Sequence, residues 1–233
     1  MTDTDHPYVF PPAPVTALPV RGSDARFPVR RIYCVGRNYA EHAREMGHDP
    51  DREPPFFFQK NPDDLFFGET RWPYPPATDD VHHEIELAMA LSAGGQDIDP
   101  ADVPAMVFGY AVALDMTRRD LQGIAKKAGR PWEVGKAFAC SAPIGALVPA
   151  TAIGHPAAGR IALSVNGQIR QEGDLAQMIW SPVEIVATLS RLFTLAPGDL
   201  ILTGTPAGVG PVVRGDRLAG SVEGVGALEI EVV

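Results

Sequence analysis

The chain has 233 residues and a mass of 25.0 kDa, a length that fits one large domain better than two. It carries 29 acidic and 20 basic residues, for a formal charge of −9, and 45% of its residues are hydrophobic. This composition excludes a disordered chain, and no apolar run approaches the roughly 20 residues of a membrane-spanning helix. Because the basic residues are scattered in an acidic chain, a general nucleic-acid binder is also excluded and a small-molecule ligand is expected.

The N-terminal region is acidic and rich in proline. It lacks the basic and apolar segments of a secretory signal, so a cytoplasmic protein is expected. Five prolines between Pro7 and Pro19 favour an extended backbone. We therefore expect residues 1–28 to form an arm on a single catalytic domain at 29–233. Cys34 and Cys140 lie far apart in apolar surroundings and are expected to be buried, unpaired thiols.

Short apolar runs separated by glycine and proline predict a chain with many strands. The predicted strands are 32–35, 56–58, 83–91, 107–114, 161–165, 168–170 and 200–203, with two more in 212–233. Asn166-Gly167 predicts a tight hairpin between two of them. Helices are predicted after Asn38 as N-cap, through about residue 46; after Thr117, whose capping box includes Asp120; and after Ser181, whose capping box includes Glu184. Few helices alternate with strands, so we expect an α+β fold, a mixed β structure with peripheral short helices, instead of a doubly wound parallel sheet.

Two glutamates in the segment His83-Glu84-Ile85-Glu86 suggest a metal site. On a strand, residues two apart point the same way, so the two carboxylates would converge while Ile85 faces the opposite side. Converging carboxylates repel unless a cation separates them, and carboxylate oxygens suit Mg²⁺, Mn²⁺ or Ca²⁺. A solvated strand face is the alternative. Asp115 favours the metal site, because it follows an apolar strand whose end would bury an unpaired carboxylate at a cost.

Other segments carry side chains suited to acid–base or anion chemistry. His42 and Glu45 are three apart on the predicted helix, within hydrogen-bonding reach, and such a pair could activate water or be a surface contact. Lys60 ends one predicted strand and Lys136 lies in what looks like another; a surface lysine is the ordinary interpretation of each. Thr203-Gly204-Thr205-Pro206 offers hydroxyl and amide donors at a strand end, either for a carboxylate or merely for a turn.

Taken together, these segments resemble the fumarylacetoacetate hydrolase family, specifically its short single-domain acylpyruvate hydrolase branch. The resemblance extends from about Ile32 to the C-terminus. It rests on five segments in the family's order: Val35-Gly36-Arg37-Asn38-Tyr39 with His42 and Glu45; His83 to Leu87; Gly109-Tyr110 and Asp115-Met116-Thr117 with Arg119, Asp120 and Gln122; Lys136-Ala137-Phe138; and Leu202 to Gly210.

The resemblance implies the family's mixed β-roll, a homodimer and a divalent metal, with Mg²⁺ expected and Mn²⁺ or Ca²⁺ as possible substitutes. It implies metal ligands at Glu84, Glu86 and Asp115. It further implies a water-activating pair at His42 and Glu45, and a cation at Lys136 that stabilises developing charge. The side chains implied to hold the substrate's carboxylates and oxygens are Arg37, Lys60, Arg119, Gln122 and Thr205.

The expected reaction is hydrolysis of the C–C bond of an acylpyruvate, a small anionic keto acid. Fumarylpyruvate is favoured, because a diacid would use the several cations. Decarboxylation of oxaloacetate or isomerisation of a hydroxydienoate could use the same metal and lysine. A non-catalytic β-rich domain with a structural Ca²⁺ is disfavoured, because a closed Ca²⁺ site normally needs six to eight oxygen ligands.

Overall fold

Strands and a few short helices make up the described residues, 8–41 and 53–233, of this computed structural model. The strands are β1 (Ala17–Val20), β2 (Ser23–Pro28), β3 (Arg31–Gly36), β4 (Phe56–Lys60), β5 (Leu65–Phe66), β6 (Arg71–Trp72), β7 (Val81–His83), β8 (Ile85–Leu91), β9 (Val107–Leu114), β10 (Thr117–Arg118), β11 (Ala142–Pro143), β12 (Val148–Pro149), β13 (Arg160–Val165), β14 (Gln168–Asp174), β15 (Asp199–Leu202), β16 (Gly210–Val212), β17 (Arg217–Val222) and β18 (Gly226–Val232). The helices are α1 (Val103–Met106), α2 (Arg119–Lys127), α3 (Glu133–Lys136), α4 (Ala150–Ile153) and α5 (Pro182–Leu192), with 3₁₀ turns at Pro62–Asp64 and Leu175–Gln177.

The central sheet has six strands in the order β12-β9-β8-β15-β3-β4. Its pairings are antiparallel except for β15 with β3, which is parallel. A second sheet has five strands in the order β14-β13-β17-β18-β6, and β7 lies between β10 and β16 in a third sheet. The predicted α+β fold with a mixed β structure is therefore confirmed, and the strands predicted between residues 32 and 233 match strands of the structure except the one suggested around Lys136.

The two faces of the central sheet bury different side chains. On β8, Ile85, Leu87 and Met89 enter a large cluster shared with the second sheet, whereas Ala88 and Ala90 enter a smaller cluster. Hairpin β1–β2 covers this smaller cluster with its apolar side chains Leu18, Val20 and Phe27. Since side chains alternate along a strand, Glu86 belongs to the face of Ala88 and Ala90, at the end of the smaller cluster.

The turn predictions are confirmed at two positions. Asn166 and Gly167 have φ angles of 52° and 78° between β13 and β14, as a tight hairpin turn requires. At the start of α5, Ser181 Oγ accepts from the Glu184 backbone N–H, and Glu184 Oε2 accepts from the Ser181 N–H at 3.0 Å. This reciprocal pairing is the predicted capping box.

Two local predictions need correction, and a third falls mostly outside the described residues. Helix α2 begins as expected, but the predicted capping box does not form. Its N-cap residue is Arg118, Thr117 Oγ1 faces Glu84, and Asp120 accepts from the Leu121 N–H at 2.8 Å and from the Thr78 hydroxyl at 2.7 Å. Cys34 is buried as predicted, but Cys140 is only partly buried. Most of the helix predicted after Asn38 falls outside the described residues.

None of the helices in the described ranges has the length and apolar content needed to cross a bilayer.

Candidate active site

Three carboxylates meet where the ends of β8 and β9 lie side by side. Glu84 joins β7 to β8, Glu86 is the second residue of β8, and Asp115 follows the last residue of β9. The register pairs Ile85 with Leu114, and the Asp115 N–H donates to the Glu84 carbonyl at 2.8 Å. All three side chains are buried, with one oxygen of each within 4.8 Å of the others. The structure thus brings together the three residues predicted as metal ligands.

Three cations are in direct contact with these carboxylates. Lys136 Nζ donates to Glu84 Oε2 at 2.9 Å, to Asp115 Oδ2 at 2.6 Å and to Thr117 Oγ1 at 2.7 Å, which engages all its protons. Lys60 Nζ lies 2.9 Å from Asp115 Oδ1, and Arg119 Nη2 donates to Glu84 Oε1 at 2.5 Å. When all the carboxylates are ionised, the cluster therefore carries three negative and three positive charges.

This balance is reflected in the acid–base properties of the cluster. Burial lowers the pKa of Lys136, but attraction to Asp115 and Glu84 outweighs it, so the net shift is upward. Burial, and then repulsion from Asp115 and Glu84, hold the pKa of Glu86 well above its usual range. Among the three carboxylates, a negative charge on Glu86 is the one that the protein stabilises least. Lys136, in contrast, is held in its charged form.

The donor set fits a hard divalent cation. Oxygen ligands from carboxylates are those that Mg²⁺ and Mn²⁺ prefer. Asp115 Oδ1 is buried and accepts no hydrogen bond from a described residue, although Lys60 Nζ is near it. A cation bound between the Glu86 carboxylate and this Asp115 oxygen would stabilise the negative charge of both. Glu84, Glu86 and Asp115 could therefore hold such an ion, and their role as ligands remains a prediction.

The segment Thr203-Gly204-Thr205-Pro206 holds one of these carboxylates. The Gly204 N–H donates to Glu86 Oε2 at 2.7 Å, so the expected carboxylate cradle serves a side chain of the protein itself. Gly204 has φ +97°, and a Cβ added there would come within 2.6 Å of the Asn38 Cβ. Only glycine allows this close approach without strain.

A pocket opens beside the carboxylates, with about 430 Å³ of space, part of it continuous with solvent. Its walls combine acidic, cationic and aromatic side chains. The lining residues are Val35, Gly36, Arg37, Phe56, Phe58, Glu84, Glu86, Arg119, Gln122, Lys126, Trp132, Lys136 and Thr205. The pocket therefore offers an anionic ligand several positive charges next to a potential metal position.

Buried Gln171 on β14 determines the direction of the Thr205 hydroxyl. Gln171 Oε1 accepts from the Ile85 N–H at 3.0 Å, and Gln171 Nε2 donates to the Pro206 carbonyl at 2.8 Å, so its amide has one possible orientation. Gln171 Nε2 then also donates to Thr205 Oγ1 at 2.8 Å. Because that oxygen accepts from Gln171, the Thr205 hydroxyl proton is left to donate into the pocket.

We expect Thr205→Val to raise KM for an anionic substrate about tenfold, through loss of one hydrogen bond to a charged group. The same change leaves a buried Gln171 N–H unpaired, which should cost about 1–3 kcal/mol of stability. Steady-state kinetics and thermal unfolding measure the two effects. Thr205→Ser keeps the hydroxyl and should behave like the unchanged protein; if it loses as much as the valine variant, the methyl group and not the hydroxyl matters.

Most of the other predicted site residues line this pocket, but Lys60 does not. Arg37, Arg119 and Gln122 line the pocket as expected, and Lys136 also does, but on helix α3 instead of the predicted strand. Lys60 is buried behind the carboxylates and is not among the lining side chains of the described residues. Its Nζ contacts Asp115, the Ser141 hydroxyl and the carbonyls of Lys136 and Met116.

Some residues of the site lie beyond the described ranges, and others were missed from the sequence. His42 and Glu45 lie outside the described residues, so the water-activating pair stays a prediction. Lys126, Trp132 and Gln171 were not predicted. Lys126 follows Gln122 by four residues on α2, a helical spacing that could have placed it on the same face.

Comparison with known proteins places the chain in a family. The sequence profile described as "Fumarylacetoacetate (FAA) hydrolase C-terminal" matches residues 31–233. The chain belongs to the fumarylacetoacetate hydrolase family, which confirms the resemblance drawn from its motifs.

Similar individual proteins carry different activities in their names. A crystal structure of fumarylpyruvate hydrolase from Pseudomonas aeruginosa, in complex with Mn²⁺ and pyruvate, is 54% identical, with 97% of this chain and 99% of that chain covered and a TM-score of 0.95. Oxaloacetate tautomerase YcgM of Escherichia coli (strain K12) is 42% identical over 207 residues, 88% of this chain and 93% of that protein. The mitochondrial oxaloacetate decarboxylase of Dictyostelium discoideum is 41% identical over 196 residues, 84% of this chain and 90% of that protein.

Proposed function

We propose that the protein is a Mg²⁺- or Mn²⁺-dependent acylpyruvate hydrolase that converts fumarylpyruvate and water into fumarate and pyruvate. The observation that carries the proposal is the charge balance of the buried cluster. Three carboxylates offset by three contacting cations leave the cluster neutral, so a divalent cation would bring it to about +2. An anionic substrate such as fumarylpyruvate would offset part of this positive charge, whereas a neutral substrate would not.

The likeness to the Pseudomonas aeruginosa enzyme supports the choice of substrate, because it extends over nearly the whole of both chains. The metal supplied from solution would act as a Lewis acid on the keto oxygen of the substrate. Arg119 and the Thr205 hydroxyl, which line the pocket beside Glu84 and Glu86, would donate to substrate oxygens and fix its orientation.

The reaction breaks one C–C bond. Water adds to the acyl carbonyl, the bond from that carbon to the central CH₂ breaks, and its electron pair remains on the CH₂ of pyruvate as an enolate. The water oxygen stays in fumarate, one proton ends on the CH₂ to give the methyl group of pyruvate, and one is released. We assign acceptance of the water proton to the predicted pair His42 and Glu45. Lys136 would keep positive charge beside the developing enolate.

The direct test is incubation of the protein with fumarylpyruvate and Mg²⁺ or Mn²⁺, following the loss of diketone absorbance. We expect turnover that stops when the metal is chelated. His42→Ala should slow hydrolysis by about 10²-fold or more, as for loss of a general base, with metal affinity by calorimetry unchanged. Turnover of another acylpyruvate but not of fumarylpyruvate would overturn the substrate, and turnover of none would overturn the hydrolase.

Oxaloacetate tautomerisation or decarboxylation is the second candidate, favoured by the relatives with those names. Oxaloacetate is also a dianion, so the charge balance suits it equally. Neither reaction needs attack by water, so His42→Ala should affect them less than hydrolysis. Assays of pyruvate release and of enol absorbance with oxaloacetate distinguish these activities from acylpyruvate cleavage.

A further inference from the structure

Two cations in the pocket lie apart from the carboxylate cluster. Arg37 and Lys126 both line the pocket, and within the described part of the chain neither forms a salt bridge. Each lies against an aromatic ring: the Arg37 guanidinium is 5.2 Å from the centre of the Phe56 ring, and Lys126 Nζ is 5.9 Å from the centre of the Trp132 ring. Phe56 and Trp132 themselves pack edge to face, with ring centres 5.2 Å apart. This aromatic wall bears two positive charges, and neither is in salt-bridge contact with a carboxylate of residues 8–41 or 53–233.

Helix α2 sets the distance between these cations and the carboxylates. Arg119, Gln122 and Lys126 occupy positions that share one face of the helix, and all three line the pocket. Arg119 starts the row, where it contacts Glu84 and also donates to Gln122 Oε1 at 2.7 Å. Lys126 is seven residues later, about 10 Å along the helix axis. Its side chain leans back toward the start of the helix, as helical side chains do, and so toward the pocket.

The surroundings of Lys126 disfavour its charge on balance, although Glu84 attracts it. Burial lowers the pKa of Lys126, and repulsion from Arg37 and Arg119 lowers it further. Like charges converging in a partly buried pocket are disfavoured in the free protein and favoured once an anion binds between them. The pocket is therefore prepared for a second anionic group beside Arg37 and Lys126.

We propose that Lys126, together with Arg37, binds the distal carboxylate of a dicarboxylic acyl group and so selects fumarylpyruvate over acylpyruvates with an uncharged acyl chain. The proposal rests on the proposed function, since it places the pyruvate end at the acidic cluster. In fumarylpyruvate five carbon atoms separate the two carboxylates, a span that the Arg119-to-Lys126 row can follow, with the lysine side chain covering the remainder. The planar fumaryl group would lie along Phe56 and Trp132.

The test compares two substrates of the same shape. Crotonylpyruvate has a methyl group where fumarylpyruvate has its distal carboxylate. We expect Lys126→Met to lower kcat/KM for fumarylpyruvate by tenfold or more, mainly through KM, and to leave kcat/KM for crotonylpyruvate within twofold. Lys126→Arg should retain most of the preference. Lys127→Met is the matched control, because Lys127 is the next residue on α2, is exposed and does not line the pocket.

Equal losses for both substrates in Lys126→Met would overturn the proposal, as would an equal effect of Lys127→Met. A second measurement does not depend on turnover: calorimetric titration with fumarate and with crotonate, in the presence of Mn²⁺. The unchanged protein should bind fumarate more tightly, and Lys126→Met should remove the difference. If no acylpyruvate is cleaved but this binding difference is found, the hydrolase assignment fails and the carboxylate site stands; if cleavage occurs without the difference, the carboxylate site fails alone.

Discussion

Replacing Lys136 with methionine should abolish turnover and lower the thermal unfolding temperature of the metal-free protein by about 10 °C. Lys136 Nζ contacts both Glu84 and Asp115 and is almost fully buried, with a side-chain exposure of 3%. Removing one partner of a buried ion pair leaves an unpaired charge, at a typical cost of about 3–5 kcal/mol. For a chain of this length, each kcal/mol corresponds to roughly 2–4 °C.

The effect should depend on metal, because a divalent cation can replace the missing charge. Saturating Mn²⁺ should therefore raise the unfolding temperature of Lys136→Met more than that of the unchanged protein, without restoring turnover. Differential scanning calorimetry with Mn²⁺ and with a chelator measures both states. Lys127→Met controls for loss of a lysine as such. An unfolding temperature like that of the unchanged protein in chelator would show that Lys136 does not balance the carboxylates.

Glu86→Gln should have the opposite effect on stability and the same effect on activity. Burial and the neighbouring carboxylates raise the pKa of Glu86, so its charge opposes folding in the metal-free protein. Glutamine removes that charge, and its amide oxygen can still accept from the Gly204 N–H that now donates to Glu86. The metal-free unfolding temperature should stay the same or rise.

Metal affinity and turnover should both fall in Glu86→Gln. We expect a loss of at least 10²-fold in Mn²⁺ affinity, beyond the 10- to 100-fold typical of residues that only support a ligand. Calorimetric titration with Mn²⁺ gives the affinity, and fumarylpyruvate loss gives the activity. Unchanged Mn²⁺ affinity would remove Glu86 from the ligand set. Opposite shifts in stability for Lys136→Met and Glu86→Gln would separate a charge-balance effect from general damage to the fold.

Local patterns in the sequence were sufficient to predict most strands and the three carboxylates of the acidic cluster. Alternation at Glu84, Ile85 and Glu86 predicted which side chains share a face, and the apolar strand before Asp115 predicted a buried carboxylate. These predictions hold because they depend on strand geometry, which is the same wherever the strand lies.

Features that depend on partners distant in the chain were not predictable. The run Lys136-Ala137-Phe138-Ala139 looks like a strand, but Lys136 ends a helix of four residues. Its backbone carbonyl accepts from Lys60, a contact that no local pattern indicates. Lys60 likewise ends a strand in the expected way, but whether it points to a substrate or to Asp115 depends on long-range contacts that bring these two residues together.

The capping prediction at Thr117 failed for the same reason. Thr117 and Asp120 match a capping pattern, but Thr117 Oγ1 faces Glu84, and Asp120 accepts from the Thr78 hydroxyl as well as from the Leu121 N–H. Tertiary contacts thus override local preference where the site is built.

The register between β8 and β9 has a consequence for how the chain can change length. One backbone hydrogen bond, from the Asp115 N–H to the Glu84 carbonyl, holds these two residues side by side, and Glu86 lies opposite Ala113 in the register. A one-residue insertion or deletion in β8 next to Glu86 would turn Glu86 to the face of Ile85, and one near the end of β9 would turn Asp115 away from the two glutamates. The meeting of the three carboxylates therefore depends on the lengths of β8 and β9, whereas a length change in an exposed turn such as Asn166-Gly167 would leave their register unchanged.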